Sequence, residues 1–222
     1  MTRSEEESQP AWRQRAVVRG LSAARSRAEQ RVQRYMDAAF ELMDENGTTE
    51  FTIQDVIDRS KQSLRGFYQY FDGKDELLLA LFEESMRESV ADMTKVLKPA
   101  DDPMARLRAF VIRLHEWCEP TASPRKRGRH NRVPISEFAL QFSSKDPERV
   151  REALAPIFRL LVELLDDAVE AKVIPATDTR RAATLVQQTV MCGWIANRLA
   201  EDPRRRIKAE EAWKFCLHGL GG

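Results

Sequence analysis

Arg65, Tyr68 and Gln69 stand at positions i, i+3 and i+4 of a segment that also carries Leu64, Phe67 and Phe71. On a helix this spacing gathers a guanidinium, a phenol and an amide on one outward strip, while the apolar side chains point inward. Guanidinium and amide groups hydrogen-bond base edges in the major groove, and a phenol hydroxyl donates to phosphate. Ser63 precedes the segment as an N-cap. Thr52 caps the helix before it, with Asp55 three residues on and Phe51 placed to pack on Val56. Hydroxyls and backbone donors at two helix starts suit phosphate binding. Lys74 opens a further helix, where a cation opposes the macrodipole unless an anion is present to satisfy both. Gly66 is expected to let the second helix come close to nucleic acid. Taken singly, Phe67 and Phe71 are core, and surface Arg, Tyr and Gln are ordinary. The combination with two capped helix starts favours DNA.

Catalytic chemistry finds no comparable support. The chain has three histidines, and His115-Glu-Trp-Cys118 is the sole place where His, acid and Cys lie close in sequence; two ligands, His115 and Cys118, do not make a metal site. There is no Gly-rich phosphate loop, nucleophile elbow or paired metal-binding histidines. We expect no enzyme activity, no metal and no cofactor.

The elements that position these residues follow from composition and periodicity. In 222 residues, 42% hydrophobic and 32% charged with only 9 glycines, amphipathic stretches rich in Ala, Leu, Glu and Arg predict an all-α fold of about nine helices. Residues 1–27 read as a basic flexible arm, helical toward its end. A helix follows with Val32, Tyr35, Met36, Ala39, Phe40 and Met43 on one face and Asn46-Gly47 as its stop. After the helix pair around Thr52 and Ser63 comes a long helix from Lys74. Later helices are marked by Leu107 to Trp117, Ile135 to Phe142, Asp146-Pro147 onward with a kink or break at Pro156 and an end at Pro175, Thr179 to Leu199, and Lys208 to His218.

Charge is uneven although the net value is only +1. Arg13, Arg15, Arg19, Arg25, Arg27, Arg31 and Arg34 are opposed by Glu29 alone, and a second basic cluster runs from Arg125 to Arg132. The arm is read either as a solvated tail or as a minor-groove contact; Arg31 and Arg34, on the first helix itself, are candidate phosphate contacts. The Arg125–Arg132 loop has three readings: solvated loop, clamp for an anionic ligand head group, or extra DNA contact. Neither a secretory leader nor a membrane span is evident, and three scattered cysteines argue against disulfides, so a cytoplasmic protein without a membrane partner is expected.

The segment from Phe51 through Ser63-Leu-Arg-Gly-Phe-Tyr-Gln-Tyr-Phe to Lys74-Asp-Glu-Leu resembles the N-terminal domain of the TetR family of bacterial regulators, over roughly residues 29–85. The resemblance implies a three-helix DNA-binding domain, placed at 28–74, and a ligand-binding and dimerisation domain at 75–222. It implies phosphate contacts by Thr52, Ser63, Tyr68, Tyr70 and Lys74 and base contacts by Arg65 and Gln69. The chain departs from the usual Ala-Gly-Val of the turn at Ser60-Lys61-Gln62, and Leu64-Arg65-Gly66 occupies positions that vary with operator sequence.

For the second domain the resemblance implies a ligand pocket and a dimer built by the last two helices. Pocket candidates are Phe110, Leu114, Trp117, Phe138, Phe142, Leu161, Leu165 and Trp194, each equally readable as core. The run Thr189 to Ala196 is apolar on all sides, as expected of a helix packed on its own core and on a partner. Val186, Thr189, Gly193, Ala196, Trp213 and Leu217 are the dimer candidates. The leading expectation is a homodimeric repressor of a palindromic double-stranded operator, released by a hydrophobic or amphipathic small molecule. A constitutive DNA-binding regulator and a helical enzyme are the alternatives.

Overall fold

A computed structural model describes residues 11–46, 48–97, 102–118 and 135–221. Among these residues the fold is all-α, with nine helices: α1 (Ala11–Asn46), α2 (Ile53–Ser60), α3 (Leu64–Phe67), α4 (Lys74–Leu97), α5 (Pro103–Cys118), α6 (Ile135–Phe142), α7 (Pro147–Glu170), α8 (Thr179–Leu199) and α9 (Ala209–Gly219). A short 3-10 turn, Pro203–Arg205, lies between α8 and α9. No helix of the described residues is long and apolar enough to cross a membrane. The Arg125–Arg132 loop and the first ten residues lie outside the described residues.

The N-terminal helices pack α2 and α4 against α1, with α3 held under α2. Their core is aromatic. Tyr35 meets Phe67 and Phe71 edge-on, at ring separations of 5.6 and 6.3 Å, and Phe67 lies 5.3 Å from Phe71. Arg59 of α2 reaches back to α1, donating twice to Glu45 at 2.7 Å and once to Glu41 at 3.3 Å. The guanidinium hydrogen bonds hold the Glu45 carboxyl below its ordinary pKa.

In the larger part α5 is central, contacted by α4, α6, α7, α8 and α9, and it buries Leu107, Phe110, Val111, Leu114, Trp117 and Cys118. Helix α4 belongs to both parts, touching α1 at one end and packing along α7. Arg149 of α7 fastens that contact, with Nε 2.9 Å from Glu83 and Nη1 3.0 Å from Glu76. The α8–α9 connection is tied by buried Asn197, whose amide donates to the Ile207 carbonyl at 3.0 Å and accepts from the Ile207 N–H at 2.6 Å. Burial in apolar surroundings pushes the Cys216 thiol up to about 11, as expected of a core thiol.

Three expectations need correction. The segment read as a flexible arm is helical from Ala11, in one 36-residue helix. Of the kink or break expected at Pro156, the break does not occur: α7 runs continuously from Pro147, and Ile157, Leu161, Leu164, Leu165 and Ala168 remain buried beyond it. Nor does Pro175 end that helix. A Schellman arrangement stops it at Glu170: Lys172 adopts φ 57°, and the Lys172 and Val173 N–H groups bond the Val169 and Ala168 carbonyls, each at 3.0 Å.

Candidate nucleic-acid interface

Helix α2 starts with the reciprocal cap that its sequence predicts. The Thr52 hydroxyl accepts from the Asp55 N–H at 3.1 Å, while the Asp55 carboxylate accepts from the Thr52 N–H at 2.7 Å. These bonds hold the Asp55 carboxyl below its usual range, backbone first. The helix ends at Lys61, which takes the left-handed conformation, φ 56° and ψ 32°. This is the position where glycine is usual in the resembled turn, so the lysine keeps the turn's geometry at a steric cost of roughly 1–2 kcal/mol. Ser63 then caps α3, accepting from the Gly66 N–H at 3.0 Å.

Arg65, Tyr68 and Gln69 are all exposed, Tyr68 by 55%, while Phe67 on the same turn is fully buried. Leu64, expected inward, is 47% exposed: it is the first residue of a four-residue helix, and the core beneath is already filled by Tyr35, Phe67 and Phe71. The outward strip therefore gains a fourth member. Thr52 and Ser63 are exposed at their helix starts, and Arg31 and Arg34 are exposed on α1. Tyr70 is half-buried against the core. Lys74 is also half-buried, its ammonium 4.7 Å from the centre of the Phe51 ring and close enough to Asp55 to lower that carboxyl's pKa. The ring face and the carboxylate offset the unfavourable cation at the start of α4.

Gly66 has a different role from the one expected. A Cβ there would lie 2.7 Å from the Tyr35 hydroxyl and 3.1 Å from the Ser63 Oγ. Glycine is needed because Tyr35, 1% exposed, donates its hydroxyl to the Ser63 carbonyl at 2.9 Å directly beneath α3. The close approach is internal and does not involve DNA. We predict that Gly66→Ala destabilises the protein by about 1–3 kcal/mol through overpacking. Tyr35→Phe alone should cost about 1 kcal/mol for the lost hydrogen bond. The double variant should lose less than the sum, because removing the hydroxyl makes room for the methyl group. Urea denaturation of the four proteins checks this; strictly additive losses would mean that the hydroxyl is not what excludes a side chain.

The remaining candidates fall into two groups. Phe110, Leu114, Trp117, Phe138, Phe142, Leu161, Leu165 and Trp194 are all buried, none more than 6% exposed, and Phe138 stacks between Phe82 and Phe142. Among them are polar atoms missed in sequence: Ser89 Oγ, His115 Nε2, Trp117 Nε1 and Trp194 Nε1 are buried without a hydrogen-bond partner among the described residues. Of the dimer candidates, Val186 and Trp213 face the chain's own core and are corrected to core residues; Thr189, Gly193 and Leu217 are half-buried, and Ala196 is exposed. The outward stripe of α8 is Leu185, Gln188, Cys192, Ile195 and Leu199, joined on α9 by Phe215, which is 70% exposed. An apolar run on all sides of α8 hid which face points outward.

Residues 36–81 match the family model for bacterial regulatory proteins, tetR family. Over these residues, which hold the end of α1, all of α2 and α3 and the start of α4, the chain is similar to that family. Relatives extend the likeness beyond the DNA-binding helices. The fatty acid metabolism regulator protein of Bacillus subtilis (strain 168) is 23% identical over 167 residues, 73% of this chain and 82% of that protein. The fold is shared with FadR from Bacillus subtilis, solved in complex with stearoyl-CoA (TM-score 0.61, 17% identity, 85% of this chain and 96% of that one). It is also shared with RolR in complex with resorcinol (TM-score 0.64, 19% identity, 88% and 90%). Helices α2 and α3, with the turn between them, lie wholly within the matched segment and form its helix-turn-helix.

Proposed function

We propose that this chain is a homodimeric repressor of the TetR family that reads a palindromic operator and releases it on binding a hydrophobic or amphipathic small molecule. The observation that carries the DNA-binding part is the exposed strip Leu64, Arg65, Tyr68 and Gln69, raised on a turn whose other side is wholly occupied by Phe67 against Tyr35 and Phe71. Arg65 and Gln69 read base edges. Thr52, Ser63, Tyr68, Tyr70 and Lys74, with Arg31 and Arg34 of α1, hold the flanking phosphates. Labour divides near Lys74, with residues 28–74 binding DNA and 75–222 binding effector and partner.

The effector side rests on the apolar interior around α5, with Phe110, Leu114, Trp117, Phe138, Phe142, Leu161, Leu165 and Trp194 as lining. Ser89, His115, Trp117 and Trp194 atoms that have no hydrogen-bond partner among the described residues are costly to leave buried, and a ligand carrying a polar group beside its apolar body would satisfy them. Fatty acyl and small aromatic ligands, of the kinds bound by the two structurally similar regulators, have that character. The partner subunit covers the outward stripe of α8 and Phe215 of α9. Such a protein works in the cytoplasm, beside the DNA.

The test separates base reading from phosphate binding. Fragments bound by the full-length protein are selected from a random-sequence duplex pool, and affinities of variants are measured against salt. Arg65→Ala should relax preference at one or two base pairs, at about 1–3 kcal/mol each. Lys74→Ala should weaken all sequences alike and reduce the log–log salt slope by about 1. Both variants retaining parental affinity and preference would sink the contact assignment.

A further inference from the structure

Helix α1 carries a surface that the helix-turn-helix does not use. Every side chain from Arg15 to Arg27 is exposed, and burial begins only near Val32 and Tyr35. From Arg15 to Arg34 the helix bears six arginines against Glu29 alone. Arg25 is paired with Glu29 at 2.8 Å, whereas Arg15, Arg19 and Arg27 have no ion-pair partner among the described residues. Trp12, Val17, Val18 and Leu21 add apolar groups exposed by 53–66%. A helix this cationic and this uncovered has not been built to pack on its own chain.

Its position decides the partner. The Tyr35–Ser63 hydrogen bond fixes α1 beside the N-cap of α3, the end of a recognition helix that faces the groove. From Tyr35 back to Ala11, at 1.5 Å per residue, the helix extends about 36 Å, close to one turn of duplex. A continuous helix cannot thread the minor groove as an extended arm does, but it can lie along a row of phosphates. Arginines on several sides of the helix then meet phosphate oxygens, and Val17, Val18 and Leu21 pack on the sugars between them. A second copy is a poor occupant: pairing through Val17, Leu21 and Ala28 would bring the arginines that flank this stripe, Arg25 and Arg31, against their counterparts.

We infer that the N-terminal extension of α1, from Ala11 to Arg27, is a second DNA-binding surface that lies along the backbone of the duplex flanking each half-site. This rests on the DNA-binding reading above and adds to it a contact outside the operator core. It predicts a footprint longer than the two half-sites by up to about 10 base pairs on each side, at 3.4 Å per base pair.

The test uses the full-length protein, the selected operator in a short duplex cut to its two half-sites, and the same operator in a long duplex. The parent should bind the long duplex more tightly and with a steeper salt slope. The triple variant Arg15→Gln, Arg19→Gln, Arg27→Gln should bind both alike, its slope on the long duplex reduced by about 2–3 per protomer. Deletion of residues 1–24 should act in the same direction with sequence preference intact. Equal footprint and slope for parent and triple variant would overturn the inference while leaving the Arg65 and Lys74 results standing. So would a triple variant that keeps its DNA behaviour but loses binding to phosphatidylglycerol vesicles, or changes only its oligomeric mass. Failure of the full-length protein to select any duplex would overturn the DNA-binding reading together with this one.

Discussion

Phe67→Ala should unfold the DNA-binding helices rather than merely weaken their grip on DNA. Phe67 is fully buried in a helix of four residues, and that helix has no other apolar side chain turned inward. Its ring touches Tyr35, Tyr68 and Phe71 at centroid separations of 5.6, 5.5 and 5.3 Å. Truncation removes the transfer energy of a phenyl ring and leaves a cavity among aromatic neighbours, a loss of about 3–5 kcal/mol. A typical domain is stable by roughly 5–15 kcal/mol in all. For a chain of this length the melting midpoint should fall by roughly 6–20 °C, read by circular dichroism, and amide protection should vanish first from α2 and α3. An unchanged midpoint with lost DNA binding would instead make Phe67 a contact residue.

Leu199→Glu combined with Phe215→Glu should convert the protein to a monomer. Leu199 is 76% exposed and Phe215 70%, so neither contributes much to the fold of its own chain. At a two-fold interface each substitution occurs twice, placing four carboxylates in a surface that must otherwise exclude water. Dimerisation should weaken by at least about 100-fold, since each uncompensated buried charge costs several kcal/mol. Affinity for a palindromic operator should fall by a further 10²–10⁴ or thereabouts, because the second half-site no longer benefits from effective concentration. Sedimentation velocity checks the first effect and fluorescence anisotropy the second. A dimer that persists at micromolar concentration would place the interface elsewhere.

What was legible in the sequence was local. Thr52 with Asp55 and Ser63 before Leu64 declared two helix starts, because a cap needs only residues within one turn. Arg65, Tyr68 and Gln69 could be placed on one face for the same reason. The failures are where a distant contact decided. Gly66 looked available to a ligand, and only the Tyr35 hydroxyl, 31 residues earlier in the chain, shows why it must be glycine. Residues 11–27 lack an apolar stripe that any tertiary contact requires, yet they continue a helix already nucleated by the buried turns from Tyr35 onward, and propagation needs far less than nucleation. Val186 and Leu185 are neighbours of equal hydropathic appeal; which faces inward depended on the helices packed against α8, α7 and α5 foremost, not on α8 itself. Pro156 obeyed a local rule that packing on both sides of it outweighed.

The arrangement at α3 has an evolutionary corollary. Leu64, Arg65, Tyr68 and Gln69 contribute little or nothing to the buried core, while Gly66, Phe67 and Phe71 between them are fixed by steric fit. Substitutions at the first set fall in the range of ordinary surface changes, usually within about 0.5 kcal/mol of neutral. Under the contacts proposed above, a lineage carrying this scaffold can therefore drift from one operator to another through folded intermediates, without first acquiring a compensating mutation elsewhere. Selection on operator choice and selection on the fold then act on separate residues, interleaved within eight positions of the same chain.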